Sequence, residues 1–143
     1  MLKVIELTTK EQMLEQLDVI QFLYPEFTIE KYSNLLDQML RNNYKQAAVF
    51  KEGKCLGLSG FWIGTKLWCG KYLELDNVIV NPKVRSKGIG KLLAEFLNNK
   101  ALEENCNVMA LDAYTNNFAA QKFYFNHGFV PKGFHFVKDL KLK

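Results

Sequence analysis

The stretch Arg85-Ser86-Lys87-Gly88-Ile89-Gly90-Lys91 sets two glycines among three cations, with no acidic residue, directly ahead of an apolar period that reads as a helix. At a helix N-terminus the first N–H groups have no intrahelical acceptor and the dipole favours negative charge, so this stretch is suited to cradle a phosphate. Glycine permits unusual backbone angles and lets an oxygen approach without a Cβ in its path. A solvated strand-to-helix turn fits the short pattern equally well. A Walker A loop is excluded, because Arg85 and Leu92 stand where that motif needs glycine and Ser/Thr, and no GxGxxG is present.

A second group is acidic. Glu74 and Asp76 are two apart in KYLELDNVIV, so on a strand they share one face. Two neighbouring carboxylates raise the pKa of one of them, which suits a general base; a solvent-exposed strand face, or a patch that only binds a cation, is the alternative. Tyr124 lies in an aromatic run with Phe118, Phe123 and Phe125, whose helical period by itself reads as packing.

The elements that must position these groups follow from periodicity. Lys3 to Leu7 reads as a strand. Thr9 and Gln12 have capping-box spacing, and Met13, Leu14, Leu17, Ile20 and Tyr24 fall at helical intervals up to Pro25. A second helix starts at Thr28 and carries Tyr32, Leu35, Leu36, Met39 and Leu40. Gln46 to Lys51 and Lys54 to Gly64 form a hairpin about Glu52-Gly53, with Gly57, Gly60 and Gly64 marking a bulge or a close backbone approach. A strand from Lys71 to Val80 is cut by Pro82, and Ile89, Leu92, Leu93, Phe96 and Leu97 carry a helix to about Glu104. Val108 to Tyr114 reads as a buried strand, Asn117 to Gly128 as a capped helix, and Phe134 to Leu140 as a closing strand. The order is β-α-α-β-β-β-α-β-α-β-β.

Composition agrees with one globular domain over residues 1–143: 48% hydrophobic, 24% charged, and no linker or repeat. No apolar run is long enough to span a bilayer and the N-terminus lacks a signal-peptide pattern, so no membrane partner and a cytoplasmic location are expected. Cys55, Cys69 and Cys106 are odd in number and without metal-ligand spacing, so neither a disulfide framework nor a metal site is expected. A net charge of +4 allows an anionic ligand without arguing for nucleic acid.

Arg85-x-x-Gly88-x-Gly90, between a strand ending Val80-Asn81-Pro82 and an amphipathic helix, resembles the acyl-CoA signature of the GNAT superfamily of N-acetyltransferases. NFAAQKFYFNHGF, Asn117 to Phe129, is similar to the family's second signature, with its Tyr seven positions after the Asn and then Gly-Phe. The element order matches along essentially the whole chain. The resemblance implies an α/β fold with a splayed central mixed β-sheet flanked by about four helices, acyl-CoA lying between Leu73–Val80 and Val108–Tyr114.

It also implies a set of roles. The backbone of Arg85, Ser86, Lys87, Gly88, Ile89, Gly90 and Lys91 would hold the pyrophosphate, that of Val78, Ile79 and Val80 the pantetheine arm, and Asn117 the same arm from the other side. Acetyl-CoA is the implied co-substrate, and its acetyl group goes directly to a primary amine of a small molecule or a peptide. Tyr124 stands where the family often keeps its general acid, and a phenol with pKa near ~10 can protonate a thiolate of similar basicity. Glu74 or Asp76 would be the base, directly or through water, and an N–H near Val78 or Ile79 would hold the oxyanion. Asn77, where some members carry a second carboxylate, departs from polyamine-acetylating relatives. The acceptor would enter past Tyr24, Glu26, Phe27, Trp62, Trp68 and His135, and a homodimer through strands around His135 to Leu140 has precedent in the family. The alternative from another class is a non-catalytic acyl-CoA-binding regulatory module; a basic nucleic-acid domain resting on Lys83 to Lys91 ranks well behind.

Overall fold

The computed structural model describes residues 1–85 and 87–141, which divide into two compact units, Met1–Leu111 and a second unit from Asp112 onward. The first unit contains β1 (Leu2–Leu7), α1 (Lys10–Leu14), α2 (Leu17–Ile20), α3 (Ile29–Met39), β2 (Tyr44–Lys51), β3 (Lys54–Lys66), β4 (Gly70–Val80), α4 (Ile89–Glu103) and β5 (Val108–Ala110). Its strands form one sheet in the order β1-β2-β3-β4-β5, antiparallel except for the parallel β4–β5 pair. The sheet is therefore mixed and open, as the sequence implies.

Local chemistry sets several boundaries. The Thr9–Gln12 capping box is formed in both directions, and Thr28 caps α3 by accepting from the Lys31 N–H. The expected first helix is two, α1 and α2, broken at Gln16, where φ is −102° and ψ 22°. Met13 and Ile20 are both buried and two turns apart, so the apolar period runs through the break without recording it. Glu52 and Gly53, both at positive φ, make the two-residue turn between Lys51 and Lys54.

Two layers of apolar side chains cover the sheet. On one face Leu7, Met13, Val19, Ile20, Tyr32, Leu36, Tyr44, Ala48, Leu58 and Ile79 form a continuous cluster beneath α1, α2 and α3. On the other, α4 packs against the strands with its buried stripe Ile89, Leu93, Leu97 and Ala101. Gly57 lets this helix close: a Cβ there would lie 2.8 Å from the Ile89 side chain and 2.9 Å from the Ile79 carbonyl oxygen.

The splay of the sheet begins in β4. Pairing with β5 ends at Glu74↔Ala110, so the expected strand to Tyr114 is shorter, Val108–Ala110. On its β3 side the register steps from Gly60↔Asp76 to Leu58↔Ile79, so Asn77 and Val78 together face Ser59. This is a β-bulge, and Asn77 occupies it with φ +55°. A bulge bends its strand, which accounts for β4 parting from β5 just before it.

The second unit contains α5 (Phe118–Asn126), capped by the Asn117 side chain and ended by Gly128 at φ +88°. The closing strand expected over Phe134–Leu140 is absent among the described residues, which carry no strand after β5. Aromatic and β-branched residues favour a strand only where a ladder partner exists, and no other strand is found in this unit to supply one.

Candidate active site

Glu74 and Asp76 lie on the stretch where β4 loses β5. They face Trp62 and Gly60 of β3 respectively and share the face that carries Tyr44 and the α1–α3 cluster. Asp76 Oδ2 accepts a hydrogen bond of 3.0 Å from the Trp62 indole N–H. The Trp62 ring in turn packs against Tyr44, with centroids 4.9 Å apart. Both carboxylates are half-buried.

Beside them runs a hydrogen-bonded chain that sequence reasoning did not find. Gln46, fully buried, donates through Nε2 to the Tyr32 hydroxyl (2.8 Å) and the Tyr44 hydroxyl (3.1 Å). Tyr44 donates to Asn77 Oδ1 (3.1 Å), and Asn77 Nδ2 donates to the Tyr24 hydroxyl (3.0 Å). The donors point one way, from Gln46 through Tyr44 and Asn77 to Tyr24. Turning the Gln46 carboxamide over would not serve both hydroxyls, because Tyr44 has one proton and gives it to Asn77. The cost of this direction is Gln46 Oε1, a buried oxygen without a hydrogen-bond partner among the described residues.

Burial pushes the Tyr32 hydroxyl up to about 12, and that of Tyr44 higher still, with the Gln46 hydrogen bond opposing in both cases. Both stay neutral donors and acceptors at any physiological pH. Gly60 makes room for this arrangement, since a Cβ there would lie 2.3 Å from the Tyr44 hydroxyl oxygen. The signal available in the sequence was Asn77 itself: asparagine is depleted in strands and tolerates the left-handed region.

From the bulge, Val78, Ile79 and Val80 lead straight into the glycine stretch. Asn81 is buried, its N–H bonded to the Leu56 carbonyl and its Oδ1 accepting from the Lys83 N–H, which fixes the turn Pro82–Val84. Arg85 is extended and exposed. Gly88 precedes α4 at φ +83°; among the described residues nothing stands where a Cβ would be and no side chain caps the helix start. Lys87 and Lys91 are exposed there, Ile89 turns into the core, and no acidic residue occupies the first turn. This geometry suits an anion on the first-turn amides. Ser86 lies outside the described residues.

Asn117 and Tyr124 belong to the second unit. Asn117 Oδ1 accepts from the Ala120 N–H at 3.2 Å, so its side chain is engaged as the α5 cap. Tyr124 is half-buried between Phe123 and Phe129, with ring centroids 5.5 and 5.9 Å away and both edge-on. Burial raises its pKa and keeps the phenol protonated. Among the described residues, no group of three His, Cys, Asp or Glu could hold a metal ion and no helix is long and apolar enough to cross a membrane.

Residues 11–129 match the acetyltransferase (GNAT) family. An uncharacterized N-acetyltransferase of Bacillus subtilis (strain 168), YhdJ, is 24% identical over 137 residues, covering 94% of this chain and 96% of the relative. Among solved structures, glucosamine-6-phosphate N-acetyltransferase from Arabidopsis thaliana gives a TM-score of 0.77 at 21% identity over 99% of each chain. The aminoglycoside N-acetyltransferase AAC(6')-Iy in complex with CoA gives 0.82 at 18% identity, over 99% of this chain and 96% of that one. At such identities the solved structures establish a shared fold, and the family match over most of the chain establishes descent. The chain belongs to the GNAT family and is an acetyl-CoA-dependent N-acetyltransferase.

Proposed function

We propose that residues 1–143 act as one domain that transfers the acetyl group of acetyl-CoA directly to a primary amine, with both substrates bound at once. The observation that carries this reading is the placement of Glu74 at the last pair that β4 makes with β5 and of Asp76 just beyond it, in a strand that runs through a bulge into a glycine-led helix start. The family match crosses both compact units, which supports treating them as one domain. The names of the two solved neighbours, a glucosamine-6-phosphate and an aminoglycoside N-acetyltransferase, make a small amine the leading acceptor class.

In this reading the N–H groups around Gly88 to Lys91 hold the pyrophosphate and the unpaired edge of Val78–Val80 holds the pantetheine arm. The amine nitrogen attacks the thioester carbonyl carbon, the new C–N bond forms and the C–S bond breaks. Glu74 or Asp76 takes the amine proton, directly or through water, while the Val78 N–H stabilises the oxyanion. Tyr124 gives its proton to the departing thiolate; burial, by raising its pKa, keeps that proton in place until then. The carboxylates, with Tyr24, Phe27 and Trp62 beside them, favour a cationic acceptor with some apolar body.

The test is an acetylation assay over amino sugars, aminoglycosides, polyamines and short peptides, following thiol release. We expect at least one acceptor, intersecting initial-rate lines, and a loss of about 10²–10⁴-fold in kcat for Glu74→Gln or Asp76→Asn, whichever removes the base. Acetyl-CoA binding without transfer to any amine would instead support the non-catalytic module.

A further inference from the structure

Asn77 combines two features that seldom coincide. Its backbone sits in the left-handed region inside a strand, and its side chain is engaged at both ends, by Tyr44 from β2 and Tyr24 from the connection between α2 and α3. A bulge residue at positive φ is ordinarily glycine, which satisfies the conformation without any side-chain bond. An asparagine here satisfies the same backbone and adds two hydrogen bonds. The bonds reach different layers: Tyr44 is held through Gln46 to Tyr32 on α3, while Tyr24 stacks on Phe27 at 4.7 Å and 14°.

What Asn77 sits between makes this arrangement relevant to the reaction. On one side is Asp76, whose carboxylate is held by Trp62, the ring packed against Tyr44. On the other is Val78, which together with Asn77 faces the single residue Ser59 at the bulge. A rotation of the Asn77 peptide would turn both. We propose that Asn77 is a positioning residue for acetyl transfer: its carboxamide, clamped between the Tyr44 and Tyr24 hydroxyls, locks the β4 bulge and so orients the Val78 N–H and the Asp76 carboxylate. The inference rests on the proposed transfer reaction. It assigns Asn77, Tyr44, Gly60 and Tyr24 a role no motif carries, and it couples the 24–27 segment to the strand that holds the thioester.

The test uses the full chain and two readouts. Asn77→Gly keeps the backbone conformation and removes both hydrogen bonds; Gly60→Ala leaves Asn77 in place and displaces the Tyr44 hydroxyl. Amide hydrogen exchange is followed by NMR at Asp76 and Ile79, the ladder residues on either side of the bulge, with Ala47 and Ala48 of β2 as reference, and kcat and the KM for acetyl-CoA are measured on the best acceptor. We expect exchange at Asp76 and Ile79 to rise at least tenfold in both variants with the reference amides unchanged, and kcat to fall at least tenfold with KM within twofold. Unchanged exchange overturns the lock whatever the activity. Faster exchange with unchanged kcat overturns the positioning role and leaves Asn77 a structural residue. A wild-type protein that binds no acetyl-CoA and acetylates nothing brings down the transfer reading itself, a result separable from the lock because the exchange data stand apart from activity.

Discussion

Two residues eleven apart on the same connection, Asn77 and Gly88, are both left-handed, and the chain meets the same backbone demand in opposite ways. At Asn77 a side chain is present and bonded at both ends; at Gly88 there is none, and the space a Cβ would fill is open among the described residues. Where the backbone must be held, a side chain holds it. Where a substrate phosphate is proposed to come close to the backbone, the side chain is missing. The comparison separates stability from binding along one strand-to-helix segment.

Exchanging the two solutions should break them differently. Asn77→Val places a β-branched residue at φ +55° and removes both hydrogen bonds, a loss of about 3 kcal/mol from left-handed strain and unmade bonds. A thermal melt should fall on the order of 8 °C; a shift under about 2 °C would contradict the lock. Gly88→Asn should leave the melt nearly unchanged, because asparagine tolerates the conformation and its Cβ meets no neighbour among the described residues. It should nevertheless weaken acetyl-CoA at least tenfold by standing in the phosphate's path.

Tyr124→Phe tests the other unit. The ring keeps its packing on Phe123 and Phe129 and loses only the hydroxyl, so stability should hold while kcat drops about 10- to 100-fold. The acid works only while protonated and burial raises its pKa, so the wild-type rate should persist into the alkaline range past the ordinary tyrosine value before it falls. A pH–rate profile that bends lower would remove Tyr124 from the role. The smallest effect is expected far from the site, at Lys100, whose ammonium is 2.8 Å from Glu6. Lys100→Met should cost under about 1 kcal/mol. The hydrogen bond to Glu6 raises the Lys100 pKa, so this contribution is fully present below the unfolded-state value and is lost as pH rises through the folded one. Melts of the two proteins should converge in strongly alkaline buffer.

The family and the order of elements through α5 were legible because they depend on local signals: capping side chains at Thr9, Thr28 and Asn117, the turn at Glu52-Gly53, glycines at the start of α4, and the end of α5 at Gly128. The break at Gln16 was not, since Met13 and Ile20 keep helical phase across it. The bulge was half legible. Glycines marked β3 as irregular, but the residue that bears the irregularity is on β4, and register is a property of two strands. The Gln46–Tyr44–Asn77–Tyr24 chain was invisible because its members come from three separate segments and only folding brings them together. Phe134–Leu140 shows the converse, strand-like composition without a strand among the described residues.

The most direct measurement is a calorimetric titration of acetyl-CoA into the wild-type protein and into Gly88→Asn, with melts of both recorded alongside. The account predicts micromolar-range binding by the wild type, at least tenfold weaker binding by the variant, and coincident melts. Equal affinities, or no binding by a folded wild-type protein, would contradict a phosphate cradle at the start of α4.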